Sequence, residues 1–348
     1  MKTIKSENNQ ISLFEGKNRL KIEKPIRLIE LFAGIGAQAK ALENLGIKFE
    51  HYRICEFDKY AVASYNAVHG TEFTTSDITK IHAADLGIIE TDKYEYIMTY
   101  SFPCTDLSKA GKQKGMSRES GTRSGLLWEV ERLLKETKEL PQILLMENVP
   151  DVLSEKFRKD FFEWCNFLEK LGYTNKYAIL NAKDFGVPQY RERCFMLSWL
   201  GDFYYDFPNK QPVIIKLKDI LEPLVDKKYY LTKKNIDCIL KWNTTQNPFD
   251  NIIVDNSISP TITTRVENSA SMILYSQKLS KSANIKKLEE LYNLSIRKLT
   301  PKECWRLMGF DDESFSRAEK KVSNSQLYKQ AGNSIVVDVL MAIFKNLL

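Results

Sequence analysis

A cysteine beyond an apolar run is the first residue whose type and position could support chemistry. Cys104 follows Pro103, shortly after Tyr100, where a predicted strand ends. The proline restricts the turn, and the end of a strand is where open α/β sheets bind ligands. A thiol there could attack an electrophilic carbon. It could equally be a small buried hydrophobic side chain.

The segment after this cysteine is basic and contains glycine. Lys109, Lys112 and Lys114 lie beside Gly111 and Gly115. Such a segment is either a solvated loop or a lid that contacts the phosphates of DNA.

Two further polar groups follow predicted strands. Glu147 comes directly after an apolar run and could be a general acid for a ring nitrogen, or a surface carboxylate. Gln189, Arg191 and Arg193 alternate, so in a strand they would share one face. Two arginines on one face could orient a carboxylate or a substrate carbonyl, or could form structural salt bridges.

A glycine-containing turn between a predicted strand and a predicted helix indicates a cofactor site. The run from Phe32 to Ala37 reads Phe-Ala-Gly-Ile-Gly-Ala, and Glu56 ends the next strand. Glycines let the backbone approach a ligand closely, and the carboxylate could hold both hydroxyls of a ribose. Asp77, predicted to end a third strand region, could face an adenine. These features indicate an adenosine-containing cofactor, either a nicotinamide cofactor or S-adenosylmethionine. Packing glycines and surface acids are the alternative.

These residues need a regular scaffold, and the apolar periodicity predicts one. Strands and helices alternate up to about residue 200, which is typical of a doubly wound, mostly parallel α/β sheet. The predicted strands are 26–32, 49–55, 94–100, 142–146, 177–181 and 193–199. The predicted helices are 37–45, 59–69, 126–134 and 157–171.

The alternation stops after about residue 200. Turn signals such as Asn247-Pro248 and Ser259-Pro260 predict a smaller second domain of β and irregular structure. Helical periodicity returns at 300–308 and 335–347, and Gly332-Asn333-Ser334 is interpreted as the start of the last helix, with a plausible cap. Residues 1–24 are polar and are interpreted as a loose arm.

Composition narrows the class of protein. The chain has 348 residues, a net charge of +6 and 43% hydrophobic residues, as in ordinary globular proteins. No apolar stretch is long enough to cross a bilayer and the start lacks a signal peptide, so we expect a cytoplasmic protein. The six cysteines form no CxxC pair, and none of the three histidines lies near a cysteine in metal-ligand spacing, which predicts free thiols and no metal. The modest positive charge is compatible with a polyanionic partner.

Taken in order, the motifs resemble those of the DNA cytosine-5 methyltransferase family, of the bacterial or phage restriction-modification type. The similarity runs from Ile26 to the C-terminus. It comprises the glycine loop, Cys-Glu-Phe-Asp at 55–58, the Pro-Cys loop with Gly-Lys-Gln-Lys-Gly at 111–115, Glu-Asn-Val, Gln-x-Arg-x-Arg, the 299–310 segment and Gly-Asn-Ser. The chain departs from the family pattern at Ala37, Thr105 and Leu107, and no catalytic residue type is missing.

The resemblance implies a covalent mechanism. Cys104 would attack carbon 6 of a cytosine flipped out of double-stranded DNA, and S-adenosyl-L-methionine would donate the methyl group to carbon 5. Glu147 would protonate nitrogen 3, while Arg193 and Arg191 would hold the base and Glu147. The expected cofactor contacts are Phe32, Ala33, Gly34, Ile35, Gly36, Glu56, Phe57, Asp77, Ile78, Pro103, Leu126, Asn333, Ser334 and Ile335. The expected DNA contacts are Ser108, Lys109, Lys112, Gln113, Lys114, Gln189, Thr261, Thr263 and Arg265.

The resemblance also implies an organisation and partners. It predicts a catalytic domain at 1–200, a target-recognition domain at 201–298 and a return segment at 299–348 whose last helix packs on the catalytic domain. We expect a monomer acting on DNA, with a restriction endonuclease as a potential companion. Three alternatives stay open: a transfer RNA cytosine-5 methyltransferase, a catalytically silent DNA-binding protein of the same fold and, from the glycine loop alone, a nicotinamide dehydrogenase.

Overall fold

The computed structural model describes residues 17–108, 113–118, 120–211, 215–232, 234, 252–254, 258–264, 272–275 and 295–348. Their contacts define two compact units. The first comprises the described residues up to Asn181, together with Glu192–Asn209 and Val339–Leu348. The second comprises Ala182–Arg191 and the described residues of Lys210–Asp338. The functional division at residues 200 and 298 stays a prediction.

The first unit contains eight of the strands and six of the helices in the part of the chain described. The strands are β1 (Asn18–Arg19), β2 (Ile26–Leu31), β3 (Phe49–Cys55), β4 (Glu95–Tyr100), β5 (Ile143–Asn148), β6 (Tyr173–Asn181), β7 (Glu192–Leu200) and β8 (Phe203–Tyr204). The helices are α1 (Ala37–Asn44), α2 (Lys59–His69), α3 (Ala83–Leu86), α4 (Leu127–Glu136), α5 (Arg158–Lys170) and, for most of its length, α10 (Val337–Lys345).

Six of these strands form the central sheet in the order β3-β2-β4-β5-β7-β6. The strands β3, β2, β4 and β5 are mutually parallel, whereas β7 runs antiparallel to both β5 and β6. This arrangement confirms the predicted α/β fold with a mostly parallel sheet. The carboxyl ends of β2, β3, β4 and β5 therefore lie at one edge, where ligands bind in such sheets.

Local sequence explains why the elements begin and end where they do. The side chain of Asp58 accepts a hydrogen bond from the Tyr60 N–H and caps α2, which ends at Gly70 with φ +68°. The apolar stripe of α5 is buried as predicted, with Phe161, Trp164 and Leu168 fully enclosed. Burial of one such side chain contributes roughly 2 kcal/mol to folding.

The last residues of the chain complete the first unit. The Tyr205 hydroxyl donates to the Ile343 carbonyl over 3.1 Å, and the Ile22 N–H donates to the Leu347 carbonyl over 2.8 Å. Several residues of α10 are fully buried, including Leu340 and Phe344.

The second unit contains short strands and short helices. The helices are α6 (Leu217–Ile220), α7 (Pro301–Arg306), α8 (Asp312–Glu319) and α9 (Asn324–Asn333). The strands β9 (Ile252–Val254), β10 (Met272–Tyr275) and β11 (Ser295–Lys298) form a sheet in the order β11-β10-β9. A buried ion pair between Arg297 and Glu303 joins β11 to α7 at 2.7 Å.

Three sequence predictions about elements are wrong. Residues 17–24 belong to the predicted loose arm, but β1 pairs with β8 and Leu20 is buried. Asp77 does not end a strand, since it lies in a loop between α2 and α3. Gly332 and Asn333 do not start the last helix; they end α9, and α10 begins at Val337. The helices α8 and α9 were not predicted, because short helices with polar faces produce a weak apolar period.

Candidate active site

The glycine loop after β2 has the unusual backbone that the sequence predicts. Phe32, Gly34 and Gly36 all have positive φ values, of 58°, 57° and 77°. A phenylalanine in this conformation costs on the order of 1 kcal/mol, and such strain concentrates at functional sites. A Cβ atom on Gly34 would meet nothing within 4 Å, so the loop leaves open space for a ligand there.

Glycine is required at position 36 for a second reason, because a larger side chain would not fit there. A Cβ atom at this position would lie 2.3 Å from His69 Nε2 and 2.6 Å from Tyr65 Cε2. Both rings belong to α2, which therefore packs directly against the loop. The loop at residues 32–37 is fixed by its own backbone and by the helix behind it.

Glu56 follows β3 and is joined to the same loop. Its Oε2 accepts the Gly34 N–H over 2.9 Å, and its Oε1 accepts the Asp58 N–H over 2.8 Å. Burial raises the pKa of Glu56, and the backbone hydrogen bonds oppose that shift. Next to it, Phe57 exposes 76% of its surface, which is unusual for an aromatic side chain. A carboxylate and an exposed ring side by side suit a sugar and a flat base.

Asp77 lies close to this group despite the incorrect strand prediction. The Ser76 N–H donates to the Glu56 carbonyl over 2.9 Å, which brings the two loops together. The Asp77 carboxylate accepts from the hydroxyl and the N–H of Thr79, and these bonds lower its pKa. Ile78 is buried beside it.

The loop that carries Cys104 is a tight turn after β4. The N–H groups of Leu107 and Ser108 both donate to the Cys104 carbonyl, at 3.0 and 2.9 Å. The Ser124 hydroxyl donates to the Pro103 carbonyl over 2.6 Å, close to Leu126 in sequence. Cys104 is half-buried, so its thiol is held by a defined backbone and remains partly accessible.

Cys104 differs from the other cysteines that the structure describes. Cys55, Cys165, Cys194 and Cys304 are all buried. Burial raises the pKa of Cys55 to about 11 and that of Cys165 to about 12, and it raises the pKa values of Cys194 and Cys304 as well. These four thiols are therefore protonated at neutral pH, and the thiolate is the nucleophilic form.

Glu147 lies at the end of the neighbouring strand and is paired. Arg193 Nε lies 3.0 Å from Glu147 Oε1, and both side chains are largely buried. In the register of the sheet, Met146 of β5 lies beside Tyr100 of β4. The segments that carry Glu147 and Cys104 therefore leave the sheet at the same edge.

Asn148 is a positioning residue to which the sequence analysis assigned no role. Its Nδ2 donates to the Phe102 carbonyl over 2.9 Å, and its Oδ1 accepts the Val149 N–H. It therefore joins the Glu-Asn-Val segment to the Pro-Cys loop. In the sequence, this role could have been inferred from the position of Asn148 directly after Glu147.

Hydrogen bonds hold the described part of the basic loop, residues 113–118, in place. The Gly115 N–H donates to the Asp106 carbonyl, and Lys156 donates to the Gln113 carbonyl over 2.7 Å. Arg118, which the sequence analysis did not single out, pairs with Glu131 and stacks on Trp128 at 3.9 Å. Ser108 is half-buried and Lys114 is exposed, whereas Lys109 and Lys112 lie outside the described residues.

Arg191 and Gln189 form a separate cluster within the second unit. Arg191 donates to the carbonyls of Ile262, Gly332 and Ser334 at 2.7, 3.1 and 2.6 Å. Gln189 accepts the Ile262 N–H over 3.0 Å and donates to the Leu307 carbonyl. The predicted common face of Gln189, Arg191 and Arg193 is thus divided, because β7 begins only at Glu192 and the Arg193 side chain pairs with Glu147.

This cluster includes the remaining candidate residues of the second unit. A Cβ atom on Gly332 would lie 2.3 Å from the backbone of Thr263, so only glycine permits this approach. The Thr261 hydroxyl donates to the Tyr190 carbonyl over 2.7 Å. Thr263 and Asn333 are exposed, Ser334 and Ile335 are buried, and Arg265 lies outside the described residues.

Among the described residues, no helix is both long and apolar enough to cross a membrane.

Comparisons with known proteins give one consistent result. The family described as C-5 cytosine-specific DNA methylase matches residues 26–348. The type II methyltransferase M2.ScrFI of Lactococcus lactis subsp. cremoris is 33% identical, with 92% of this chain and 99% of that protein covered. The type II methyltransferase M.SsoII of Shigella sonnei is 34% identical, with 92% and 80% covered.

Solved structures agree on the fold. The methyltransferase EhMeth of Entamoeba histolytica superimposes with a TM-score of 0.77 at 21% identity, covering 93% of this chain and 98% of that one. The Dnmt2 methyltransferase of S. pombe gives a TM-score of 0.73 at 22% identity, with 93% and 98% covered. With its Pro-Cys turn, its Glu147–Arg193 pair and a family match over nearly its whole length, the chain belongs to the C-5 cytosine-specific DNA methylases.

Proposed function

We propose that this enzyme transfers a methyl group from S-adenosyl-L-methionine to carbon 5 of cytosine in double-stranded DNA, with Cys104 as the nucleophile. The observation that carries this proposal is the placement of two functional groups at one sheet edge. Cys104 follows β4, Glu147 lies near the end of the adjacent parallel strand β5, and Asn148 joins their segments through the Phe102 carbonyl.

The residues around the glycine loop fit an adenosine-containing sulfonium. Gly34 faces open space, the Glu56 carboxylate accepts the Gly34 N–H beside that space, and the exposed ring of Phe57 can stack on adenine. Asp77 and Ile78 lie on the neighbouring loop, and Pro103 and Leu126 lie near the Cys104 turn. We assign Asn333, Ser334 and Ile335 to the same role from the family resemblance. When bound, the cofactor supplies an electrophilic methyl group.

Cys104 activates the ring by covalent attack. Its thiolate forms a bond to carbon 6, which ends the aromaticity of the ring and places electron density on carbon 5. The protonated Glu147 carboxyl accepts a hydrogen bond from the exocyclic amine through its carbonyl oxygen and delivers its proton to nitrogen 3, which neutralises the negative charge as it develops. Carbon 5 then takes the methyl group and loses its own proton to solvent. The bond to Cys104 breaks, the thiolate leaves, and nitrogen 3 returns its proton to Glu147.

We assign different roles to Arg193 and Arg191. Arg193 holds the Glu147 carboxylate in position through a hydrogen-bonded ion pair at 3.0 Å. Arg191 holds the backbone of Ile262, Gly332 and Ser334 together, so we assign it a positioning role.

We further propose that the DNA is bound by two groups of residues. Ser108, Lys109, Lys112, Gln113 and Lys114 would contact the strand beside the flipped cytosine, where positive charge favours phosphates. Gln189, Thr261, Thr263 and Arg265 belong to the predicted target-recognition region, which would read base edges in the major groove. Action as a monomer and a companion restriction endonuclease are proposals from the family resemblance.

The glycine loop permits a direct test of the cofactor site. Gly36→Ala is expected to weaken S-adenosylmethionine binding by about tenfold or more, because the added Cβ meets His69 and Tyr65. A tenfold change corresponds to about 1.4 kcal/mol. Isothermal titration calorimetry measures the dissociation constant directly.

Gly46→Ala is the matched control. Gly46 also has positive φ, at 70°, but a Cβ atom there meets nothing within 4 Å. It should lose stability from backbone strain and keep its cofactor affinity. Equal losses of cofactor affinity in both variants would show that backbone strain causes the loss, and not a change in the loop at residues 32–37.

Labelled methyl transfer separates the candidate substrates. The purified enzyme is incubated with methyl-labelled cofactor and either duplex DNA or transfer RNA, and DNA from expressing cells is mapped for 5-methylcytosine. Label in DNA at one short sequence supports the proposal. Label only in transfer RNA indicates the RNA reaction, and label in neither, with cofactor bound, indicates a silent DNA-binding protein.

A further inference from the structure

A cluster of two histidines and a glutamate lies behind the glycine loop. Glu43 is in the last turn of α1, His51 is in β3 and His69 is the last residue of α2. One ligand atom from each lies within 4.8 Å of the other two. His69 is fully buried, while the side chains of His51 and Glu43 are 20% and 30% exposed.

The hydrogen bonds of His69 determine which nitrogen carries its lone pair. His69 Nε2 lies 3.1 Å from the Ile35 carbonyl oxygen, and a carbonyl can only accept, so Nε2 is the protonated nitrogen. In the neutral ring, Nδ1 then has a lone pair, and it faces Glu43 Oε1 at 2.6 Å. Two acceptor atoms at that distance require a cation between them, either a proton or a metal ion.

His51 presents a lone pair to the same point. Its Nδ1 lies 3.1 Å from the Tyr65 hydroxyl, which donates its own proton to Glu30 Oε2 over 2.5 Å. His51 Nδ1 is therefore the donor, and His51 Nε2 carries the lone pair, 3.6 Å from Glu43 Oε1.

Three lone pairs thus converge, and a cation is the group that satisfies them. We propose that His51 Nε2, His69 Nδ1 and Glu43 Oε1 bind a divalent transition metal ion, with Zn²⁺ as the ion best suited to these ligands. Two imidazoles, a carboxylate and a water molecule make a tetrahedral zinc site.

Binding of an ion would require the closer contact in the cluster to open. Zinc bonds of about 2.0–2.1 Å at tetrahedral angles place ligand atoms about 3.3 Å apart. The two observed separations from Glu43 Oε1, 2.6 and 3.6 Å, lie on either side of that value. Lys40 lies 3.7 Å from Glu43 Oε2, so Glu43 would bind through Oε1 alone.

The surroundings of the cluster match those of bound metals. Metal-ligating histidines donate their other N–H to a carbonyl or to a carboxylate system, which fixes the ring and its tautomer. Here His69 donates to Ile35, and His51 donates through Tyr65 to Glu30. Because Ile35 belongs to the glycine loop, an ion at this site would join α1, β3 and α2 to that loop.

This proposal departs from the sequence prediction that no metal is bound. That prediction was based on the spacing between histidines and cysteines in the sequence. Glu43, His51 and His69 lie on three separate elements and form no spacing motif, so only the fold brings them together.

Cobalt(II) tests the site without DNA or cofactor, so the result is independent of the proposed reaction. Enzyme without a histidine tag is treated with a chelator and titrated with Co²⁺. We expect one equivalent to bind with the intense visible absorption of a tetrahedral ion, and Zn²⁺ to displace it. Zn²⁺ should also raise the melting temperature, because it binds the folded state.

Variants assign the signal to these ligands. Glu43→Gln and His51→Gln keep the size of the side chain and should abolish the absorption. His82→Ala is the matched control, because His82 is the remaining histidine, 75% exposed and beside Glu136, and it should leave the absorption unchanged. No tetrahedral signal in the wild type, or a signal that persists in both ligand variants, overturns the proposal and leaves a proton as the shared cation.

Discussion

Replacing Cys104 by alanine is expected to abolish methyl transfer to duplex DNA, with a loss of at least about 10⁴-fold in rate. Without the sulfur, carbon 5 of cytosine stays part of an aromatic ring, and the remaining groups cannot supply the missing bond. Removal of a covalent nucleophile costs roughly 10⁴- to 10⁶-fold in well-studied hydrolases. Transfer of a labelled methyl group under single-turnover conditions measures the loss.

The covalent bond itself can be observed with a modified substrate. In a duplex that contains 5-fluorocytosine, fluorine cannot leave as the carbon-5 proton does, so the enzyme should remain attached to the DNA after methyl transfer. A denaturing gel should show this adduct for the wild type and not for Cys104→Ala. The variant should keep its melting temperature and cofactor affinity, since Cys104 is only half-buried. An adduct in the variant would show that another residue is the nucleophile.

Glu147→Gln is expected to lower the rate of methyl transfer by about 10²- to 10⁴-fold, the usual contribution of a positioned acid. Glutamine keeps the size and can accept a hydrogen bond, but it cannot deliver a proton to nitrogen 3. The substitution also removes the ion pair with Arg193 at 3.0 Å. We expect the loss in kcat, with little change in KM for the cofactor.

Glu95→Gln provides the control for this substitution. Glu95 is a half-buried carboxylate of the central sheet, but it begins β4, at the opposite end from the candidate site. It should retain nearly full activity. A Glu147→Gln enzyme within a few-fold of wild-type activity would contradict the assigned role, and a loss confined to DNA affinity would make Glu147 a binding residue only.

The elements with strong local signals could be predicted from the sequence. The bounds of β3 and α2 were predicted correctly, because Asp58 and Gly70 carry the capping chemistry within a few residues of the helix ends. The placement of Cys104 and Glu147 at one sheet edge also follows from strand alternation. In both cases, the information lies in short runs of sequence.

Contacts between distant segments could not be predicted. Arg191 bonds to the Ser334 carbonyl across 143 residues, and no periodicity near either residue indicates that partner. The common face proposed for Gln189, Arg191 and Arg193 failed because Gln189 and Arg191 precede β7, which begins at Glu192. The cluster of Glu43, His51 and His69 depends in the same way on how three elements pack.

The hydrogen bond from Tyr205 to Ile343 joins residues 138 positions apart, both within the first unit. A ribosome makes the chain from its N-terminus, so the central sheet is synthesised long before the segment that completes its unit. Most of α10 is buried there, and until it arrives an apolar surface of that unit stays uncovered. Long sequence separation between partners slows folding. Chain termination before Val339 would leave an incomplete, aggregation-prone sheet.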